Sequence, residues 1–181
     1  GVIRDTERPG GILTRVANSH IRIGTFQYAA MKGTEVLKKL ADYSIRRHYP
    51  ELKNADERYL KFFAAVCQSQ TRLVSKWMNI GFIHGVMNTD NVTISGETID
   101  YGPCAFMDYY DQKTVFSSID VAGRYCYGNQ PAILVWNLSK LGEALIPLID
   151  DEEQKSIEKL TEVLQLAVSY THLRAHETLS H

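Results

Sequence analysis

The sequence predicts a mostly helical α+β fold, built as one unit. Four stretches carry apolar side chains at helical spacing, whereas short β-type runs are confined to one region in the middle of the chain. With 181 residues the chain is long enough for one sizeable core and marginal for two, and no repeat or low-complexity linker divides it. Long helices around a small β-hairpin account for this pattern.

The first two predicted helices precede the β-type region. One spans residues 34–48, where Gly33 can open a helix and Pro50 follows its end. The second begins after Asn54, a suitable N-cap, and stops at Gly81. Its apolar side chains fall on one face and predict a core helix: Tyr59, Phe62, Phe63, Val66, Leu73, Val74 and Trp77.

After Gly81 the apolar residues no longer follow helical spacing and occur in short β-type runs. Residues 82–84, 92–94 and 97–99 are short β-type runs, and the dipeptide Ser95-Gly96 suits a tight hairpin turn between the last two. We therefore expect a small β-hairpin between the second and third helices.

Two more helices are predicted beyond the hairpin. The third runs from about residue 130 to 145, with Pro131 in its first turn and Trp136 among its core contacts. The fourth starts with acidic residues near Asp150 and runs to about Leu164. Apolar periodicity is lost after that, and residues 169–181 are interpreted as a non-native tail or a frayed native terminus.

Composition narrows the class of function. Twenty basic and 21 acidic side chains give a net charge of -1, which argues against a general binder of nucleic acid or membrane surfaces. The three cysteines are far apart and form no CxxC pair, so a disulfide framework or a structural zinc site is not expected. Because the chain begins with Gly1 and not with Met, we expect it to be a piece of a longer protein.

The residues that carry chemistry lie on both sides of the hairpin, in His84-Gly85-Val86-Met87-Asn88-Thr89-Asp90-Asn91 and in Asp100-Tyr101-Gly102. Protein kinases place a catalytic loop H-R-D-x-x-x-x-N before a D-F-G motif, and aligning the histidines matches Asn91 and Asp100 to the metal-binding residues. Their side-chain oxygens are the hard ligands that magnesium requires. Val86 replaces the usual kinase base, and Asp90 is the only carboxylate left in the loop.

Three blocks in the same order resemble the selenoprotein O family, which includes the bacterial YdiU-type proteins. They are LTRVANSHIRIGTFQ, GFIHGVMNTDNVTISGETIDYGPCAFMD and GRYCYGNQPAILVWNLSKLGEALIPLI, and the resemblance covers roughly residues 1–164. The family has a kinase-like fold that transfers AMP instead of phosphate. The resemblance implies that residues 1–168 are the C-terminal lobe, without the N-terminal lobe that carries the glycine-rich loop and the Lys–Glu pair. The family's redox-active Cys or selenocysteine has no match either.

The resemblance also implies the roles of site residues. Asp90 is the proton acceptor, Asn91 and Asp100 hold magnesium (manganese is the alternative), Asp100 also faces the nucleotide, and Arg15 and Arg22 contact it. ATP is bound flipped relative to kinases, so that the α-phosphate meets the acceptor. In-line attack on phosphorus needs cations on the developing charge and a carboxylate near the attacking hydroxyl.

These assignments compete with plainer interpretations. Asp90 and Asn91 also suit an ordinary turn, and Arg15 and Arg22 could form a solvated basic face. His84 is expected to order the loop by hydrogen bonds, and Cys67 to be a small buried residue. Residues 123–125 and 128–131 could border the acceptor cleft or only initiate a helix.

The predicted function is protein adenylyltransferase: ATP and a Ser, Thr or Tyr hydroxyl of a protein give AMP-protein and pyrophosphate. The chain alone is expected to be inactive or nearly so. The alternatives are a kinase-fold phosphotransferase, which Val86 argues against, and a pseudokinase, which the intact Asp90, Asn91 and Asp100 argue against. The expected partners are ATP and protein substrates, with no nucleic acid or membrane. The expected compartment is the bacterial cytoplasm, with the mitochondrion as the alternative.

Overall fold

A computed structural model describes residues 2–3 and 6–177 of the chain. The described part is mostly helical and has small antiparallel sheets, so the predicted α+β class is confirmed. The kinase-like lobe and its limit at residue 168 stay predictions. The helices are α1 (Ile23–Lys32), α2 (Thr34–His48), α3 (Arg58–Ile80), α4 (Gln130–Leu145) and α5 (Glu153–Glu177).

The sheets are short. Strand β1 (Val2–Ile3) pairs with β2 (Glu7–Arg8), and β3 (Phe82–Ile83) pairs with β4 (Ala105–Phe106), both antiparallel. Single turns of 3-10 helix occur at Pro50–Leu52, Thr89–Asn91, Tyr127–Asn129 and Ile146–Leu148. No helix in the described part of the chain is long and apolar enough to cross a membrane.

The core forms around α3, which packs against α4 and α5, while α1 packs against α2 and α4. The centroid of the Phe62 ring lies 5.7 Å from that of Phe26 and 5.6 Å from that of Tyr49. These ring contacts join α3 to α1 and to the end of α2. Each such buried aromatic or aliphatic side chain contributes roughly 1.5–3 kcal/mol through its removal from water. Cys67 is buried in this core, as predicted.

The predicted bounds of α2 and α4 agree with the structure, and Gly81 ends α3 in the left-handed conformation with φ 68°. The predicted N-cap of α3 was wrong. Asn54 lies in a turn, and the helix begins at Arg58, after Glu57. Glu57 has φ 51°, and its carboxylate pairs with Lys159 of α5 at 2.8 Å, which ties this turn to the neighbouring helix.

Helix α1 was not predicted, and α5 is longer than predicted. The N-cap position of α1 is Arg22, whose backbone N–H donates to the Thr25 hydroxyl at 3.1 Å, so no ordinary capping side chain signals its start. Helix α5 continues to Glu177 in place of ending at Leu164, because Ala167 still packs against the core. Residues 178–181 of the predicted tail lie outside the described residues.

The predicted hairpin is smaller in the structure. Residues 92–94 and 97–99 meet in one antiparallel bridge, Val92 with Thr98, around a turn in which Gly96 has φ 70°. The run at residues 82–84 pairs elsewhere, with β4. Trp136 was also placed wrongly in the core: it is 37% exposed and lies under the Arg124 guanidinium, 4.8 Å from the ring centroid.

Candidate active site

The segment before α1 pairs with the first run of the hairpin. Arg22 and Thr93 form an antiparallel bridge, flanked by hydrogen bonds from Ile94 N–H to the Ile21 oxygen (3.1 Å) and from Ile23 N–H to the Val92 oxygen (3.0 Å). This pairing brings the N-terminal arginines to the hairpin, although more than 70 residues separate the two segments in the sequence.

Side chains from the core helices hold the hairpin in place. The Gln70 amide donates to the Thr93 oxygen, and the Tyr49 hydroxyl donates to the Ile94 oxygen at 2.6 Å. The Trp77 indole N–H donates to the Thr98 hydroxyl at 3.0 Å. Because a buried carbonyl without a partner costs about 1–3 kcal/mol, the bonds to the Thr93 and Ile94 oxygens hold the hairpin against α3 and against Tyr49, which follows α2.

His84 joins the two halves of the site. Its Nε2 donates to the Ile99 oxygen at 2.7 Å, and its Nδ1 accepts the Val86 N–H at 3.4 Å. The ring is almost fully buried, and burial lowers the pKa of the imidazole. These are the contacts expected of a residue that orders the loop.

Two buried amides of α4, Gln130 and Asn137, support the same loop, a role that sequence analysis identified for neither. Gln130 accepts the His84 N–H at 3.0 Å and donates to the Phe82 oxygen at 2.9 Å. Asn137 donates to the Met87 oxygen at 2.8 Å. Each amide interrupts the apolar face of α4. Hydrophobic periodicity shows such a polar residue only as an interruption and does not show which group it binds.

Asp100 pairs with Arg15 and Arg22, the two arginines that were predicted to contact the nucleotide. Arg15 Nη1 contacts Asp100 Oδ1 at 2.5 Å, and Arg22 donates from Nε and Nη2 to the same carboxylate at 3.1–3.2 Å. Asp100 is one of two described non-glycine residues with positive φ, at 56°. The residue that pairs with both arginines thus has a left-handed backbone conformation, which is uncommon for a residue other than glycine.

Asp90 and Asn91 lie on the short 3-10 turn that precedes the hairpin. Asn91 Nδ2 contacts Asp100 Oδ2 at 3.4 Å, whereas Asp90 is exposed. In the described part of the chain, no side-chain hydrogen bond or ion pair involves the Asp90 carboxylate. One carboxylate of the site is therefore neutralised by arginines, and the other is free.

An open cleft of about 770 Å³ contains every predicted site residue. Asp90, Asn91 and Asp100 line it together with Arg15 and Arg22. Helix α1 supplies the rest of the wall, which sequence analysis did not identify because it did not predict the helix: Gly24, Thr25 and Tyr28. The structure thus brings the five predicted side chains together.

Comparison with known proteins decides the family. The family described as Protein adenylyltransferase SelO matches the chain over residues 1–176. The chain belongs to this family. The Protein nucleotidyltransferase YdiU of Cereibacter sphaeroides is 63% identical over 163 residues, which cover 90% of this chain and 34% of the relative. That of Bacillus cereus is 57% identical over 172 residues, covering 94% and 35%. The chain spans about a third of the length of these relatives.

A second loop of the SelO-family chain contacts the predicted catalytic loop, residues 84–91. Tyr125 donates from its hydroxyl to Asn88 Oδ1 at 2.6 Å, and Asn88 precedes the turn that carries Asp90. The Asp120 carboxylate accepts the backbone N–H groups of Arg124 and Tyr125 at 2.7–2.8 Å. The loop that carries Tyr125, for which the sequence left open a place at the acceptor cleft or a helix-initiating role, is therefore hydrogen-bonded to the predicted catalytic loop.

The donor set of the cleft fits magnesium. No group of three or more His, Cys, Asp or Glu side chains that could hold a metal occurs among the described residues. Asp100 and Asn91, the carboxylate and the amide predicted to hold the metal, both line the cleft of this SelO-family chain and carry hard oxygen donors. Magnesium commonly binds one or two carboxylates and completes its coordination with water and substrate phosphates, so this small set suffices.

Proposed function

We propose that the full-length protein transfers AMP from ATP to Ser, Thr or Tyr hydroxyls of other proteins, and that the chain supplies its catalytic cleft. One observation carries the proposal: Asp90, Asn91 and Asp100 line one cleft with Arg15 and Arg22. Membership of a family described as protein adenylyltransferases supports the same reaction. Because the chain spans about a third of its relatives, it is expected to be inactive or nearly so alone.

The two arginines bind the phosphates of ATP in this proposal. Both now contact Asp100, and Arg15 has 57% of its side chain exposed, so it can turn towards a ligand without disturbing the core. Guanidinium groups bind phosphate through paired charge-assisted hydrogen bonds. Asn91 and Asp100 would hold magnesium or manganese, which when bound neutralises negative charge on the phosphates.

Asp90 accepts the proton of the acceptor hydroxyl. The hydroxyl oxygen attacks the α-phosphorus, a new oxygen–phosphorus bond forms, and the bond from the α-phosphorus to the bridging oxygen breaks. Pyrophosphate leaves, and the hydroxyl proton passes to the Asp90 carboxylate. The exposed, unpaired state of Asp90 suits this role, because a carboxylate already bound to arginine would accept a proton poorly.

The cell compartment follows from the same proposal. The relatives named above are bacterial proteins, and the bacterial cytoplasm supplies both ATP and protein acceptors. We therefore propose the bacterial cytoplasm as the compartment of the full-length protein.

Labelled ATP distinguishes this function from the alternatives. The full-length protein is incubated with magnesium, protein acceptors and ATP labelled at either the α- or the γ-phosphorus. Adenylyl transfer labels protein from the α-position and not from the γ-position. Label from the γ-position alone would show a kinase, and ATP binding without transfer from either position would show a pseudokinase.

A further inference from the structure

Gly24 lies in the first turn of α1 and faces the Asp90 carboxylate. A Cβ atom built at Gly24 would lie 2.1 Å from Asp90 Oδ1 and 3.1 Å from its carboxyl carbon. Real Cβ atoms do not approach other heavy atoms within 3.0 Å, so any side chain at this position would displace the carboxylate.

The backbone of α1 gives no reason for a glycine at this position. Gly24 lies within the helix and is not among the described glycines with positive φ. Alanine is the better helix former, so helix stability alone would favour alanine at residue 24. The close approach of the Asp90 carboxylate is the feature of this position that a side chain would disturb.

We propose that Gly24 is a positioning residue for AMP transfer, because its missing side chain leaves the space in which the Asp90 carboxylate lies. This inference rests on the proposed function of Asp90 as proton acceptor. The displaced atom ends a short, exposed side chain, which can rotate away from a new methyl group. Gly24→Ala therefore moves the base at a small cost in stability and leaves the fold intact.

The first test is the rate of AMP transfer by the full-length Gly24→Ala protein. A displacement of the base by about 1 Å is expected to lower kcat by about 10²-fold, with the ATP dissociation constant within about twofold of the wild-type value. The control is Gly142→Ala in α4, where a Cβ would meet the Phe63 ring at an ordinary 3.4 Å. This control should retain wild-type kcat.

The second test places Gly24→Ala in an Asp90→Ala background. Asp90→Ala alone is expected to lower transfer by about 10²–10⁴-fold, the usual contribution of a general base. Adding Gly24→Ala should cause no further loss, because the atoms that the new methyl group displaces are absent. A further loss of the same size as in the wild-type background would overturn the inference.

A stability measurement tests the contact without reference to activity. Thermal unfolding is followed for the wild-type protein, both single variants and the double variant. Relief of the close contact should make the effect of Gly24→Ala on Tm more favourable in the Asp90→Ala background, by about 2 °C or more. Additive Tm changes would show that the two residues do not meet, and would overturn the inference.

The outcomes separate this inference from the proposed function. If the wild-type protein transfers no AMP, the proposed function fails and the role of Gly24 in it fails as well, even where the Tm changes are non-additive. If the wild-type protein transfers AMP and Gly24→Ala retains its kcat, the proposed function stands and the inference is wrong.

Discussion

His84 Nε2 donates a 2.7 Å hydrogen bond to the main-chain oxygen of Ile99, the residue directly before Asp100. This bond fixes the tautomer, so that Nδ1 is free to accept the Val86 N–H at 3.4 Å. A single neutral imidazole thereby joins the start of the catalytic loop to the residue that positions the predicted metal-binding carboxylate.

Protonation of His84 is expected to destabilise the chain in acid. Burial lowers the pKa of His84 below its ordinary value of 6.5, so the unfolded chain binds this proton more readily than the folded chain. The stabilisation is complete above pH 6.5 and is lost at up to about 1.4 kcal/mol per pH unit as the pH falls below that value. Urea unfolding at several pH values between 5 and 8 measures it.

His84→Gln should weaken this acid dependence while lowering stability at pH 8. The pKa of His48 is also lowered by burial, but His48 is present in both proteins, so the difference between them isolates His84. His20→Gln, at an exposed position, is the control. An unchanged pH dependence in His84→Gln would contradict the burial of a neutral imidazole.

The arginine pair is expected to set ATP affinity. A hydrogen bond between charged groups contributes about 1.5–3 kcal/mol, so Arg15→Ala or Arg22→Ala should raise the ATP dissociation constant by about 10- to 100-fold. Calorimetric titration of the full-length variants measures this. Arg46→Ala, which removes an exposed guanidinium lying over Tyr43, is the matched control. Wild-type ATP affinity in both Arg15→Ala and Arg22→Ala would show that the two arginines do not bind the nucleotide.

Tyr125 is expected to support the catalytic loop through one hydrogen bond. Loss of a typical hydrogen bond costs about 0.5–1.5 kcal/mol, so Tyr125→Phe should slow AMP transfer by about two- to tenfold. Tyr110→Phe, which removes an exposed hydroxyl bonded to Gln112, should not. In an Asn88→Ala background the Tyr125→Phe change should have no further effect, and an equal effect in both backgrounds would refute the coupling.

Asn137 is expected to contribute to stability because it satisfies a backbone group of the loop. Asn137→Ala leaves the Met87 oxygen without the amide that now donates to it at 2.8 Å, which should lower the free energy of unfolding by about 1–3 kcal/mol. Asn129→Ala removes a bond at an exposed position and should cost less. Equal losses in urea unfolding of the two variants would show that burial of Asn137 does not matter.

Sequence analysis predicted the ends of those helices that begin or end at a glycine or a proline. Gly33 and Pro50 bound α2, Pro131 opens α4, and Gly81 ends α3. Helix α1 has no such signal, because its start depends on Arg22 pairing with the hairpin, a contact between distant parts of the chain. The extension of α5 likewise depends on packing against α3, which sequence periodicity does not show.

The candidate site, like the helices, was predicted where neighbouring residues in the sequence define it and missed where it depends on contacts between distant segments. Spacing and family resemblance pointed to Asp90, Asn91 and Asp100, and the structure brings them together in one cleft. The pairing of Asp100 with both arginines was not predictable, because it requires the N-terminal segment to lie beside the hairpin. The supporting amides of α4 were missed for the same reason: their partners are loop carbonyls that only the folded chain places near them.

The most direct test of the central claim is α-label transfer from ATP by the full-length Asp100→Ala protein. Asp151→Ala, at an exposed carboxylate that does not line the cleft, is measured beside it. Asp100→Ala should abolish labelling of protein acceptors, because it removes the carboxylate that contacts Arg15, Arg22 and Asn91, and Asp151→Ala should label at the wild-type rate. Wild-type labelling by Asp100→Ala would show that the chemistry does not take place in this cleft.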